Sequence, residues 1–270
     1  MGSLLNRLLV MLNDSDHGTT NFHIAMTLLS SFYDLCTMSI DDVAKLCMVS
    51  KSTISKFIRG IGYEDYAEFK AAAPFRENKF GFDLNYNQNI AEFIEREGME
   101  RYIEILSTDI CHTQETVDMA KIDELVSDLI HYRKVASFGL LFSEIGAIDL
   151  QMKLAYNGKF IMTNLSDIKQ EDYISQSDED TLIIIYSNSG SYMQRYQLSE
   201  FHEPKDFSRI RAKIVLITAN QKMEHHPGVD LCISFGHVSK VQTHSVVYPL
   251  VNDMIVNRYR ERTRGKKQAE

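Results

Sequence analysis

At 270 residues, with 44% hydrophobic and 24% charged residues, the chain has the make-up of a globular protein and the length for two domains. A net charge of −8 excludes a nucleic-acid coat over the whole surface, though not a local basic face. No apolar run approaches the ~20 residues of a membrane span and no signal-like pattern opens the chain, so a cytoplasmic location without a membrane partner is the expectation.

Residues 4–12 place Leu4, Leu5, Leu8, Leu9 and Leu12 on an amphipathic helix. A polar loop follows. A second helix is expected from Thr20 or Asn21 to about Tyr33, with Phe22, Ala25, Met26, Leu29 and Phe32 inward. Ser39 caps a third helix, with Asp42 as the partner of an imperfect capping box. Its stripe is Ile40, Val43, Ala44 and Cys47. Met48 and Val49 turn the chain, and Ser50 is a good N-cap for a helix over 51–60. Ile54, Phe57, Ile58 and Ile61 form its apolar stripe. Ser52, Ser55, Lys56 and Arg59 repeat on the opposite face, with Lys51 at the amino end. Residues 64–73 read as one more helix, stopped by Pro74.

A helix with a buried stripe and a face of hydroxyls and cations suits a DNA major groove. Cations meet phosphates or guanine edges, and hydroxyls meet bases or phosphates. The candidate DNA-binding residues are Ser50, Lys51, Ser52, Thr53, Ser55, Lys56 and Arg59. Periodicity alone fits any helical hairpin with a solvated polar face equally well.

Residues 75–89 turn polar and aromatic and read as a linker, which divides the chain into a head, 1–74, and a second domain, 90–270. Two helices are expected over 90–132, with a break at Gly98. Then the period changes. Strands are expected at 134–139, 160–163, 180–186, 213–218 and 229–235. Helices are expected at 142–156, 167–175, 192–201 and 243–260. Unbroken β-branched runs alternating with helices imply right-handed crossovers and a doubly wound, mostly parallel α/β sheet. The basic carboxyl end reads as a helix that frays into a solvated tail.

In such a sheet a ligand sits beyond the carboxyl ends of the strands. Two loops there carry hydroxyls and glycines: Gly139 to Ser143, and Ser187, Asn188, Ser189, Gly190 and Ser191 before a helix. Small hydroxyls and backbone amides make a neutral cradle for a phosphate monoester, while the same composition also makes ordinary turns. His225, His226, His237 and His244 match no metal-ligand spacing, and Cys36, Cys47, Cys111 and Cys232 are never paired as CxxC. No metal, disulfide or cofactor is expected.

The head resembles the RpiR family of transcriptional regulators. The resemblance rests on Val49-Ser50, Thr53-Ile54-Ser55-Lys56-Phe57, Gly62-Tyr63 and Tyr66-Ala67-Glu68-Phe69-Lys70. Met48 stands where that family usually has glycine. The second domain resembles the SIS (sugar isomerase) domain that such regulators carry after the head. Its first loop, F-G-x-G-x-S in the family, is Phe138-Gly139-Leu140-Leu141-Phe142-Ser143 here, with Leu141 for the second glycine. Its second loop, S-x-S-G-x-T, is Ser187-Asn188-Ser189-Gly190-Ser191-Tyr192, with Tyr192 for threonine.

The resemblance implies an operator-binding regulator, not an enzyme, acting as a homodimer or tetramer on double-stranded DNA. A phosphorylated sugar held by Gly139, Ser143 and residues 187–191 would be its effector. Two alternatives stay open. One is an aldose–ketose isomerase with Glu144 or His244 as base. The other is a domain that has lost its ligand and only dimerises.

Overall fold

The computed structural model describes residues 2–73, 90–194, 205–207 and 209–267. The chain forms two compact units, an all-helical head and an α/β body. The expected linker, 75–89, lies outside the described residues.

The head consists of α1 (Gly2–Asp14), α2 (Thr20–Ser30), α3 (Ile40–Leu46), α4 (Lys51–Gly60) and α5 (Tyr66–Ala71), with a 3-10 turn at Phe32–Asp34. Its starts are set by side chains. Thr19 caps α2, Asp65 caps α5, and Ser39 with Asp42 closes a complete capping box on α3. Ser50 accepts the Thr53 amide at 3.2 Å to start α4. One core joins them through Leu4, Leu8, Leu28, Val43, Cys47, Ile54, Phe57, Ile58 and Phe69.

One helix faces differently from the expectation. α2 turns Ile24, Ala25 and Leu28 inward, while Met26 is 44% exposed and Phe22 and Leu29 are only partly covered. Apolar residues run around most of this helix, so periodicity does not fix its buried side.

The body opens with α6 (Glu92–Glu97) and α7 (Met99–Thr116). Gly98 between them, at φ +89°, makes the break expected there. α8 (Met119–His131) leads into β1 (Lys134–Phe138). Then come α9 (Glu144–Ala155), α10 (Asp167–Ser175), β2 (Thr181–Tyr186), α11 (Ser191–Gln194), β3 (Lys213–Thr218), β4 (Leu231–Ser234) and α12 (His244–Lys267). The strands pair in parallel in the order β1-β2-β3-β4.

The strand expected at 160–163 is reduced to a single parallel bridge, Met162 to Ala136. The other residues of that segment, Phe160, Ile161 and Thr163, stay outside the ladder. The helix expected over 192–201 is described for one turn only, the rest lying outside the described residues.

Both sheet faces are buried, as continuous apolar strands require. α8, α9 and α12 pack on one face over Val135, Leu182, Ile184, Val215 and Ile233. On the other, Phe138 meets Tyr173 of α10 edge-on. Because all four strands run the same way, the ends of β1, β2, β3 and β4 open on one edge of the sheet, and that edge positions the body's candidate site.

Candidate functional sites

In the head, α4 separates its two faces cleanly. Ile54, Phe57, Ile58 and Ile61 are at most 4% exposed, whereas Ser50, Lys51, Ser52, Lys56 and Arg59 face solvent. Thr53 and Ser55 are half-buried at the boundary. An open groove of about 650 Å³ runs beside the helix. Ser52, Thr53, Lys56 and Arg59 line one wall, and Met11, Thr20 and Asn21 the other.

The seven expected residues are not equivalent. Ser50 is committed to the cap, and its hydroxyl meets those of Ser52 at 2.7 Å and Thr53 at 2.8 Å. Lys51 is paired with Asp41 at 2.6 Å. Lys56 and Arg59 have no carboxylate partner among the described residues. They are the available cations of this face.

The turn before α4 explains its aim and carries strain. Met48 sits at φ +53° with its side chain 81% exposed. This is the left-handed region, where a Cβ clashes with backbone and glycine does not.

In the body, β1 runs into Gly139. A Cβ there would lie 2.5 Å from the Ser143 carbonyl oxygen, so only glycine permits the close turn. Leu141 follows at φ +56°, the second non-glycine residue in the left-handed region among those described. The turn brings Ser143, 8% exposed, to the start of α9, where its hydroxyl lies 3.4 Å from Tyr248.

β2 runs into the second loop. Ser187 accepts the Tyr192 amide at 3.2 Å, and Ser189 donates to Ser191 at 2.9 Å. Gly190, at φ +78°, packs so closely on Met223 that a Cβ would not fit. Asn220 and Thr218, after and at the end of β3, hold the loop's carbonyls at Ser189 and Asn188. The hydroxyls of this loop are thus arranged by its own turns and by β3.

The two loops are joined by a residue that sequence reading passed over. Gln170 of α10 is fully buried and donates to the Gly139 carbonyl at 2.8 Å and to that of Asn164 at 2.5 Å. Its Oε1 accepts the Tyr192 hydroxyl at 2.9 Å. Tyr192 is itself 1% exposed, with the Lys205 ammonium 3.9 Å from its ring centroid. The tyrosine therefore fills interior space and ties one loop to the other, work a threonine could not do.

His237, after β4, contacts Asn188 of the loop at 2.8 Å. Its place just past a strand's carboxyl end is the signal that could have singled it out. His244 at the start of α12 is buried, which pushes its pKa down to about 4, and His237 nearby adds to the effect. Among the described residues no group of three or more His, Cys, Asp or Glu could hold a metal ion, and no helix is long and apolar enough to cross a membrane.

Residues 6–73 match the family model described as "Helix-turn-helix domain, rpiR family". The head thus carries a helix-turn-helix domain of the rpiR type. A Providencia stuartii protein described as an uncharacterized HTH-type transcriptional regulator is 23% identical over 261 residues, 95% of this chain and 88% of that protein.

Among solved structures, Vibrio vulnificus NanR complexed with ManNAc-6P aligns with a TM-score of 0.52 at 17% identity. The alignment covers 98% of this chain and 94% of NanR. The E. coli CFT073 protein c3406 aligns with a TM-score of 0.50 at 16% identity, covering 65% of this chain and 94% of its own. At these identities the likeness is one of fold.

Proposed function

We propose that this protein is an RpiR-type regulator of transcription that binds an operator through α4, and that a phosphorylated sugar in the body's crevice sets its grip. The observation that carries the reading is α4 itself: a stripe buried to 4% or less, opposite an exposed face with Lys56 and Arg59 free of carboxylate partners among the described residues. That division is what a helix needs to dock by its polar face while held rigidly by its core. Lys56 and Arg59 take phosphates or guanine edges, and Ser52, Thr53 and Ser55 take bases. Residues 1–74 form the reader, 75–89 the linker, and 90–270 the effector-binding and pairing domain.

The effector part rests on the strand-end loops. Gly139 and Gly190 let the two loops turn tightly against Ser143 and Met223, and Ser143, Ser187, Asn188, Ser189 and Ser191 supply small polar groups at one sheet edge. NanR, of similar fold over nearly the whole chain, is complexed with ManNAc-6P, which favours a sugar phosphate as the ligand class.

Pairing of two chains is favoured by an exposed apolar face along α9. Ile145, Met152 and Tyr156 are 43%, 53% and 93% exposed. A second copy covering this face would bring two α4 helices to successive major grooves of a near-palindromic site. Catalysis is disfavoured, because an isomerase has no use for a reader head.

The test is a gel shift of the full chain on DNA flanking its own coding region, with and without ManNAc-6P, ribose phosphate and related sugar phosphates. Operator binding shifted by one of them, typically by ~1–3 kcal/mol of coupling, is the expected result. No binding to that DNA at any salt would overturn the regulator reading.

A further inference from the structure

Behind the second loop lies a buried polar chain that this effector reading does not use. Asp109, in the middle of α7, is fully buried. Its Oδ1 accepts the Val238 amide at 2.7 Å and its Oδ2 accepts the Thr243 hydroxyl at 2.6 Å. The His237 imidazole, 13% exposed, bridges from this carboxylate to the loop. Its Nδ1 lies 3.1 Å from Thr243 Oγ1 and 3.5 Å from Asp109 Oδ2, and its Nε2 lies 2.8 Å from Asn188 Oδ1.

Counting protons along the chain gives two arrangements. Thr243 has one hydroxyl hydrogen, and Asp109, as a carboxylate, can only accept it. Thr243 can then only accept from His237, so Nδ1 carries a proton. With Asn188 Oδ1 against Nε2, that nitrogen must carry a proton as well, and the ring is an imidazolium. If the ring is neutral, bare Nε2 needs a donor, and the Asn188 amide must turn over to offer Nδ2. The two ends of an amide are nearly the same size, so both arrangements fit the same space. They differ by one proton and by which end of the amide is left for a ligand.

We propose that His237 is a proton-linked positioning residue for the candidate anion site. When protonated it turns the Asn188 amide so that a donor, Nδ2, joins the hydroxyls of Ser187, Ser189 and Ser191. When neutral it leaves an acceptor there, which repels an anion. A phosphate-bearing ligand is therefore bound with uptake of a proton. The inference rests on the effector reading of this crevice.

The groups around the ring oppose one another. Burial disfavours the cation, Asp109 of α7 favours it, and His112 of α7 disfavours it. His244 of α12 has its ring centroid 6.5 Å away, with its Nδ1 buried and without a hydrogen-bond partner among the described residues. The balance holds the His237 pKa below the usual value, burial being the largest cause. The ligand-free ring is thus neutral near pH 7, and an anion beside Asn188 supplies the missing countercharge.

The test is calorimetry of the full chain with ManNAc-6P and with ribose phosphate at pH 7.0, in buffers of different ionisation enthalpy. Net proton uptake is expected, with affinity rising as pH falls from 8 to 6.5 by up to about tenfold per pH unit, the ceiling for one linked proton. A phosphate ester selected as its dianion releases protons instead, since its second pKa is about 6, so the ligand's own titration has the opposite sign. His237→Gln should abolish the uptake and flatten the pH profile. Binding with proton release, or an unchanged profile in His237→Gln, would overturn the inference and leave the effector reading standing. Absence of heat with every sugar phosphate overturns the effector reading and the inference with it. The wild-type buffer series alone decides should the variant not fold.

Discussion

Met48 and Leu141 stand in the left-handed region that costs an L-residue roughly 1–2 kcal/mol, and both occupy positions where the resemblance expects glycine. The same strain has different consequences at the two sites. Met48 is almost fully exposed, so little packing offsets it. Met48→Gly should raise the stability of the head by about 0.5–1 kcal/mol, the relief less the backbone entropy of a glycine, read from the denaturant midpoint by circular dichroism. Leu141 is half-buried, and its removal sacrifices packing of similar size. Leu141→Gly should leave stability within about 1 kcal/mol and tighten sugar-phosphate binding in calorimetry, because backbone replaces a side chain at the ligand's approach. Both positions were legible in the sequence as departures from a motif. That Tyr192 would be buried and bonded to Gln170 was not, because the tie joins residues 22 apart whose partnership no local pattern records.

At the scale of the element, α4 was legible almost completely. Its cap, its length and its four-residue stripe follow from strong amphipathicity with a single apolar arc. α2 was not, since its apolar residues leave several sides equally fit for burial. The short strand at 160–163 failed for another reason: an edge segment pairs on one side only, and whether it pairs depends on its neighbour β1. The exposed face of α4 gives an ordered expectation. Lys56→Ala and Arg59→Ala should each weaken operator binding and lower the slope of log affinity against log salt by about 1. Lys51→Ala should do less, because its ammonium is already shared with Asp41. Salt titrations of all three by gel shift check the order, and equal losses would contradict it.

For the whole molecule, pH acts through the buried imidazoles. His244 is held neutral in the fold, with a pKa near 4 against 6.5 when unfolded. A depressed folded pKa means that the unfolded chain binds the proton first as pH falls. The stabilisation is therefore complete above about pH 6.5 and is lost on the way down to about pH 4, by roughly 3 kcal/mol. Urea titrations at pH 7 and pH 4.5 should show the loss, and His244→Gln should reduce it. Association is the other property at this scale. Met152→Glu on the exposed face of α9 should shift the chain toward monomer in light scattering and reduce operator affinity with it. The architecture of the body was legible from its strand runs. How many copies assemble was not, because one chain carries only half of any symmetric contact.

Gln170 uses all of its hydrogen-bonding ends on three different stretches of chain. A visitor that displaces Gly139 or Tyr192 must therefore break a bond whose loss is felt at the opposite rim. On the proposed effector reading, occupancy of the crevice at one loop should therefore be felt at the other through this one side chain.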